Sequence, residues 1–287
     1  MSRVDVRKTY KLFIGGAFPR SESGRTYEVT DTKDEFIANV AQASRKDARD
    51  AVLAARAAFA KWSNATAYNR GQVLYRIAEV MEGRREQFIQ EVAQGEGLSA
   101  KKAASQVDAA IDRWVWYAGW ADKYAQAIGN TNPVAGPFFN FSIPEPTGVV
   151  AAVAPQDNSV LGLTSVIAPI IMTGNAMIVM PSPSAPIPAI TLAECLATSD
   201  VPAGVVNILT GAPAEVMPWL AEHADVNALD LTGIVDESVA ADLERQAAGS
   251  IKRVRQPNPH ADWEATPSLS RIRSFTEIKT VWHPLGV

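Results

Sequence analysis

Between Gly148 and Gly233, short apolar runs alternate with longer apolar segments. Gly148-Val-Val-Ala-Ala-Val-Ala-Pro155 has the length of a strand. The polar cluster Gln156-Asp157-Asn158-Ser159 separates it from residues 160–172, which are long enough for a helix. After Gly174-Asn175, the run Ala176-Met-Ile-Val-Met180 predicts a second strand ending at Pro181-Ser182. Residues 186–198 then predict a helix, 204–209 a third strand, 214–223 a helix and 227–231 a fourth strand. All-apolar strands separated by helical segments predict a parallel sheet covered on both faces. The expected fold class is α/β, a Rossmann-like parallel sheet.

The pattern changes on both flanks. Lys11-Leu-Phe-Ile14, Arg25-Thr-Tyr-Glu-Val29 and Phe36-Ile-Ala-Asn-Val40 predict three strands. Ser44, with Asp47 three positions on, predicts a capped helix start. Ala48, Val52, Ala55, Phe59 and Trp62 then fall on one helical face. Residues 68–94 predict a second helix with Val73, Ile77, Val80, Met81 and Phe88 inward, and 100–126 a third through Val107, Ile111, Trp114, Ala118 and Ala121. Trp114, Trp116 and Trp120 are read as packed helix faces rather than a ligand box. Residues 130–146 are rich in proline and glycine, and Phe138-Phe-Asn-Phe-Ser-Ile143 predicts an extended arm or hairpin. Beyond Gly233 the chain predicts a helix over 236–248, a short strand over 251–254, an irregular linker broken by prolines, and a terminal strand over 274–282.

Composition narrows the function classes. A net charge of −4 provides no basic field, which argues against nucleic acid or an anionic membrane as partner. One cysteine, Cys195, excludes an intrachain disulfide framework and suits a reducing cytoplasm. The first residues lack the apolar core of a signal peptide, and 160–172 is too short to span a bilayer. The histidines, His223, His260 and His283, have no metal-ligand spacing and read as structural or solvated.

Several stretches resemble the NAD(P)-dependent aldehyde dehydrogenases: Phe13-Ile-Gly-Gly16, Glu145-Pro-Thr-Gly-Val-Val150, Ile167-Ala-Pro169, Gly174-Asn175, Pro181-Ser182, Pro202-Ala-Gly-Val-Val-Asn207 and Leu231-Thr-Gly233. They run in register over residues 10–255. The terminal Phe275-Thr-Glu-Ile-Lys-Thr-Val-Trp282 is similar to the family's last, oligomerisation strand. The resemblance implies four parts: residues 1–145 as strands, helices and arm, 146–255 as the Rossmann-like unit, 256–271 as a linker where a catalytic domain is expected, and 272–287 as the oligomerisation strand.

The chemistry that the resemblance implies is not matched residue for residue. Thioester-forming oxidation needs a thiolate, an oxyanion donor, a general base and a bound nicotinamide. Cys195 lies on a helix of the Rossmann region, away from the family's nucleophile position. Pro155-Gln-Asp-Asn-Ser159 stands where the family carries Pro-Trp-Asn-Phe-Pro, so Asp157 occupies the oxyanion asparagine, with Asn158 one residue away; a polar turn capping the next helix is the other reading of both. At the ribose-binding Lys-Pro-Ser motif this chain has Met180-Pro-Ser182, and Pro183 and Ser184 follow where a glutamate is expected. Thr232-Gly-Ile-Val-Asp-Glu-Ser238 replaces the family's Thr-Gly-Ser-x-x-x-Gly pyrophosphate turn, and its acids in the next helix's first turn oppose a phosphate. The general-base stretch aligns with Pro257-Asn-Pro-His260.

A degenerate cofactor site is therefore expected at Met180, Ser182, Gly211, Thr232 and Gly233. The catalytic site is expected to be empty of function, with its remnant at Asp157 and Asn158. No cofactor is expected, with NAD or NADP as the alternative if nucleotide binding or residual oxidoreductase activity survives. An oligomerisation surface is expected at Phe139, Phe141, Phe275, Ile278, Val281 and Trp282. There the terminal strand is expected to be completed by another chain, a full-length aldehyde dehydrogenase subunit or a second copy.

Overall fold

The structure is a computed structural model that describes residues 8–258 and 261–286. Strands β1 (Thr9–Tyr10), β2 (Thr26–Thr30) and β3 (Phe36–Ala41) form a small sheet in the order β1-β3-β2. Helices α1 (Arg45–Ser63), α2 (Ala67–Glu82), α3 (Arg85–Glu96), α4 (Ala100–Trp120) and α5 (Tyr124–Ile128) follow. β4 (Asn130–Asn132) and β5 (Phe138–Pro146) make an antiparallel hairpin. Alternation then sets in: β6 (Val149–Val153), α6 (Leu161–Met172), β7 (Ala176–Met180), α7 (Ile187–Ala197), β8 (Val206–Ile208), α8 (Pro213–Glu222), β9 (Ala228–Asp230), α9 (Glu237–Ala247) and β10 (Arg253–Arg255). A short α10 (Ser270–Ser274) and a long β11 (Thr276–Pro284) end the described chain.

β6 to β10 form one parallel sheet in the order β10-β9-β6-β7-β8. The chain starts in the middle, moves one way through β7 and β8, and returns to the other side of β6 for β9 and β10. That reversal makes a topological switch point between β6 and β9, where doubly wound sheets bind ligands. Along β6 the side chains alternate between two cores: Val150 and Ala152 pack with α2, α3, α4, α6 and α7, while Val149, Ala151 and Val153 pack with α1, α8 and α9. Burial on both faces is why these strands read as unbroken apolar runs. Lying between the sheet and α4, α6 is buried at every residue.

Local chemistry explains the boundaries. Ser44 accepts from Lys46 N and Asp47 N, and the Asp47 carboxylate takes Ser44 N in return at 2.7 Å, closing the expected capping box. The helix predicted over 68–94 is instead two helices, because Gly83 and Arg84 end α2 and start α3 anew. The helix predicted over 100–126 stops at Trp120 and resumes as α5. Lys11 to Ile14 form only isolated bridges, Phe13 to Ile208 and Ile14 to Ala17, around the Gly15-Gly16 turn. Ile251 has a left-handed backbone, so the following strand begins only at Arg253.

β11 pairs antiparallel with the chain's own β5 from Thr276–Pro146 to Pro284–Phe138, so one of its two edges is filled from within the chain. Its other edge has no paired strand among the described residues. Phe275 is fully buried, in the core with α6, and it anchors the strand instead of offering an oligomer contact. Ile278 and Trp282 remain over half exposed, and Phe139 is nearly so.

Candidate functional site

The switch point is built from the loops that leave the C-terminal ends of β6, β7 and β9. Thr232-Gly233, after β9, lies tightly against the end of β6. Gly233 N donates to the Val153 carbonyl at 3.0 Å, and a Cβ at Gly233 would fall 1.9 Å from the Ala154 oxygen. Only glycine permits that approach. Thr232 is held by Asp230, whose Oδ1 accepts from Thr232 N at 3.0 Å and from its hydroxyl, and Arg271 Nη2 donates to the same hydroxyl at 2.9 Å. Thr232 and Gly233 thus join two strand ends through contacts of their own.

The loop after β7 is equally committed. Met180 is fully buried, and its carbonyl takes Ala154 N at 2.9 Å. Ser182, also buried, donates to the Gln156 carbonyl at 2.8 Å and shares a hydrogen with the Ser184 hydroxyl at 2.9 Å. Beyond β8, Gly211 has a positive φ where the chain packs on Ala43, whose N–H donates to the Thr210 carbonyl. It is a corner between β8 and the α1 entry.

The expected oxyanion position divides in two. Asp157 is exposed, whereas Asn158 is buried and its Oδ1 accepts from Gly162 N at 2.6 Å, capping the first turn of α6. Next to it, Ser159 N donates to Glu96 Oε1 at 2.7 Å, as does the Ser159 hydroxyl. Burial pushes the Glu96 carboxyl above its usual range against those two hydrogen bonds.

A dinucleotide needs anion donors and a ribose clamp, and the residues present do not fit those two groups. At the head of α9, Asp236 Oδ1 accepts from Ser238 N at 2.8 Å, Val239 N at 3.4 Å and the Ser238 hydroxyl at 2.7 Å. The N–H groups that would face a pyrophosphate already face a carboxylate. The methionine and serines after β7 provide no side chain pair that grips two vicinal hydroxyls. Between α8 and α9 lies a mostly apolar cleft of about 220 Å³ lined by Pro213, Met217, Ile234, Val239 and Leu243.

Cys195 is buried inside α7, and burial pushes its thiol up to about 11. His223 stacks edge-on against Trp219 at 4.6 Å and accepts from Asp225 N, His283 is exposed, and His260 lies outside the described residues. No group of three His, Cys, Asp or Glu stands together as a metal site among the described residues. No helix there is long and apolar enough to cross a membrane.

Sequence reasoning missed a cluster of arginines beside the switch point, Arg113, Arg255 and Arg271. Arg113 gave one readable signal, a charge set between Ile111 and Trp114 on a helix face that is otherwise apolar.

The geometry agrees with comparisons to known proteins. A model of the aldehyde dehydrogenase family matches residues 18–256. Cytosolic aldehyde dehydrogenase 1 of Elephantulus edwardii is 32% identical over 264 residues, covering 88% of this chain and 51% of that protein. Omega-crystallin of Enteroctopus dofleini is 31% identical over 247 residues, covering 85% and 49%. The NAD+ complex of an aldehyde dehydrogenase from Bacillus cereus superposes with a TM-score of 0.81 at 28% identity, over 86% of this chain and 50% of that one. The chain spans about half the length of these relatives.

Proposed function

This chain belongs to the aldehyde dehydrogenase family, and on that premise we propose that it is a catalytically silent member, a subunit that associates with a full-length aldehyde dehydrogenase or with its own copies. The observation that carries this reading is the internal route of the chain. β10 ends at Arg255, and by Ser270 the chain has re-entered the fold as α10 and β11, which pairs with β5 along its length. The residues between, 256–269, are far too few for a domain carrying a nucleophile. The only thiol of the sequence is buried and protonated at neutral pH, so covalent capture of an aldehyde has no thiolate to start from.

The sheet β11-β5-β4 supports the docking half of the reading. Phe138, Phe139, Ile143, Ile278, Trp282 and Leu285 are 38–57% exposed on or beside it. A free edge next to exposed apolar side chains is a ready site for another chain. Native mass measurement of the chain alone, and after co-expression with a full-length aldehyde dehydrogenase of the same host, tests this. An oligomer or a mixed complex is expected; a lone monomer under both conditions overturns it.

The apolar cleft between α8 and α9 favours a second reading, residual nucleotide binding. Calorimetric titration with NAD and NADP separates the two. No heat of binding is expected, because Asp236 occupies the helix head and Met180 the ribose side; micromolar binding would establish the second reading.

A further inference from the structure

Residues 261–268, after β10, line a small polar pocket of about 170 Å³ beside α4. Three guanidiniums line it: Arg113 from α4, Arg255 from the end of β10 and Arg271 from α10. Arg113 and Arg271 are 7% and 8% exposed, and Arg255 is half-buried.

Of the three, only Arg271 meets a carboxylate at ion-pair distance among the described residues. Arg271 Nη1 donates to Asp230 Oδ2 at 2.9 Å. Arg113 has neutral acceptors alone: the Ser165 hydroxyl at 2.8 Å and the carbonyls of Trp263 at 2.7 Å and Ala265 at 3.1 Å. Arg255 donates to the Ser274 hydroxyl at 2.7 Å, while its buried Nε has no acceptor among the described residues. The other acid at the rim, Asp262, is exposed; its Oδ1 accepts from Glu264 N and Ala265 N, and its charge also acts on Arg113.

Among the described residues, three cations therefore share one buried anion, Asp230, and one exposed acid at the rim, Asp262. Burial lowers the proton affinity of Arg113 and Arg255, and Arg271 lowers both further, against the opposing pull of Tyr117 and Asp262 on Arg113 and of Asp230 and Tyr117 on Arg255. Buried charge without a counter-ion is what folded proteins otherwise avoid. The arginine fork matches carboxylate and phosphate oxygens in pairs. Trp263, with its ring 5.0 Å from the Arg271 guanidinium, helps to fix that fork in place. The cavity is too small for a dinucleotide and of a size for a single oxyanion group, since whole-ligand pockets run from about 300 Å³ upward.

We propose that this cavity binds a small oxyanion, the carboxylate or phosphate group of a metabolite, held between Arg113, Arg255 and Arg271. The site uses none of the side chains expected for a dinucleotide and is independent of whether the chain pairs with a dehydrogenase.

The test uses the full chain with inorganic phosphate and with malonate, titrated against chloride at constant ionic strength. Saturable binding of at least one anion in the millimolar range or tighter is expected, with a rise in melting temperature. Preference for phosphate identifies a phosphate site, and preference for malonate a carboxylate site. Arg255→Gln, which removes a half-buried group with one neutral partner, is expected to weaken binding at least tenfold with an unchanged circular dichroism spectrum. Arg273→Gln, an exposed neighbour on α10, is expected to leave binding unchanged. Phosphorus NMR of phosphate with the wild-type chain gives a second readout, line broadening that excess malonate removes. Equal affinity in wild type and Arg255→Gln, or the absence of saturable binding of either anion, overturns the proposal.

Discussion

Asp236 holds a helix head that another anion would otherwise want. Its carboxyl lies below its ordinary range, first because of the Ser238 hydroxyl and then because of the two backbone N–H groups it caps. A lowered folded value means that the stabilisation is present above the unfolded value and is lost as pH falls through the folded one. Asp236→Ala is therefore expected to lower the melting temperature at pH 7. The gap to wild type should close as pH falls below the usual carboxylate range, and a constant gap in melts from pH 7 to pH 3 would show that the charge is not what matters. Cys195 supports a second expectation at this scale. Fully buried, with a thiol titrating near 11, it should resist iodoacetamide at pH 8 in the native chain and react fully in denaturant, as intact mass would record.

At the level of elements, polar side chains tie strand starts to neighbouring loops. Asn175, fully buried at the start of β7, accepts from Gly148 N at 2.8 Å, and its amide donates to the Thr173 hydroxyl and the Phe275 carbonyl. It joins the entries of β6, β7 and β11. Asn175→Ala strands the buried Gly148 N–H, while the Phe275 carbonyl keeps Thr147 N, and at a penalty of about 1–3 kcal/mol for one such group the loss should be about 1–3 kcal/mol. Urea denaturation with an unchanged slope measures it; a loss under 1 kcal/mol would mean that water replaces the amide. Gly174-Asn175 was legible in the sequence as a break between a helix and a strand, while its tie to a residue a hundred positions later was not. The same division holds more widely. The strands of the parallel sheet were readable because burial on both faces removes every polar residue from them, and the α1 cap because Ser44 and Asp47 are three apart. The break at Gly83 was not readable, since apolar spacing continues from Met81 to Phe88 across it. The Met180 and Asp236 substitutions stood out against the family resemblance, but the arginine cluster draws on three elements distant in sequence and only folding assembles it.

For the whole molecule, the question is why a chain with this sheet keeps β11. One edge of β11 lies on β5, and Phe275 before it is in the core. Ile278 and Trp282 face out at 52% and 57% exposure, and Trp282 touches Phe138 edge to face at 5.7 Å. A strand that served only its own chain would be expected to carry charge there, as Glu277 and Lys279 already do through Arg253 and Glu145. Changing Ile278 and Trp282 together to lysine separates the two roles. If the residues serve association, the double variant should keep the fold, with a melting temperature within a few degrees of wild type, because exposed positions carry little stability, about 0.5 kcal/mol each. Its native mass should fall to that of the monomer, alone or with a full-length aldehyde dehydrogenase. A variant that still associates would move the interface elsewhere on the surface. One that unfolds would place Trp282 and Phe138 in the chain's own stability, and the exposed sheet would then be a structural cover.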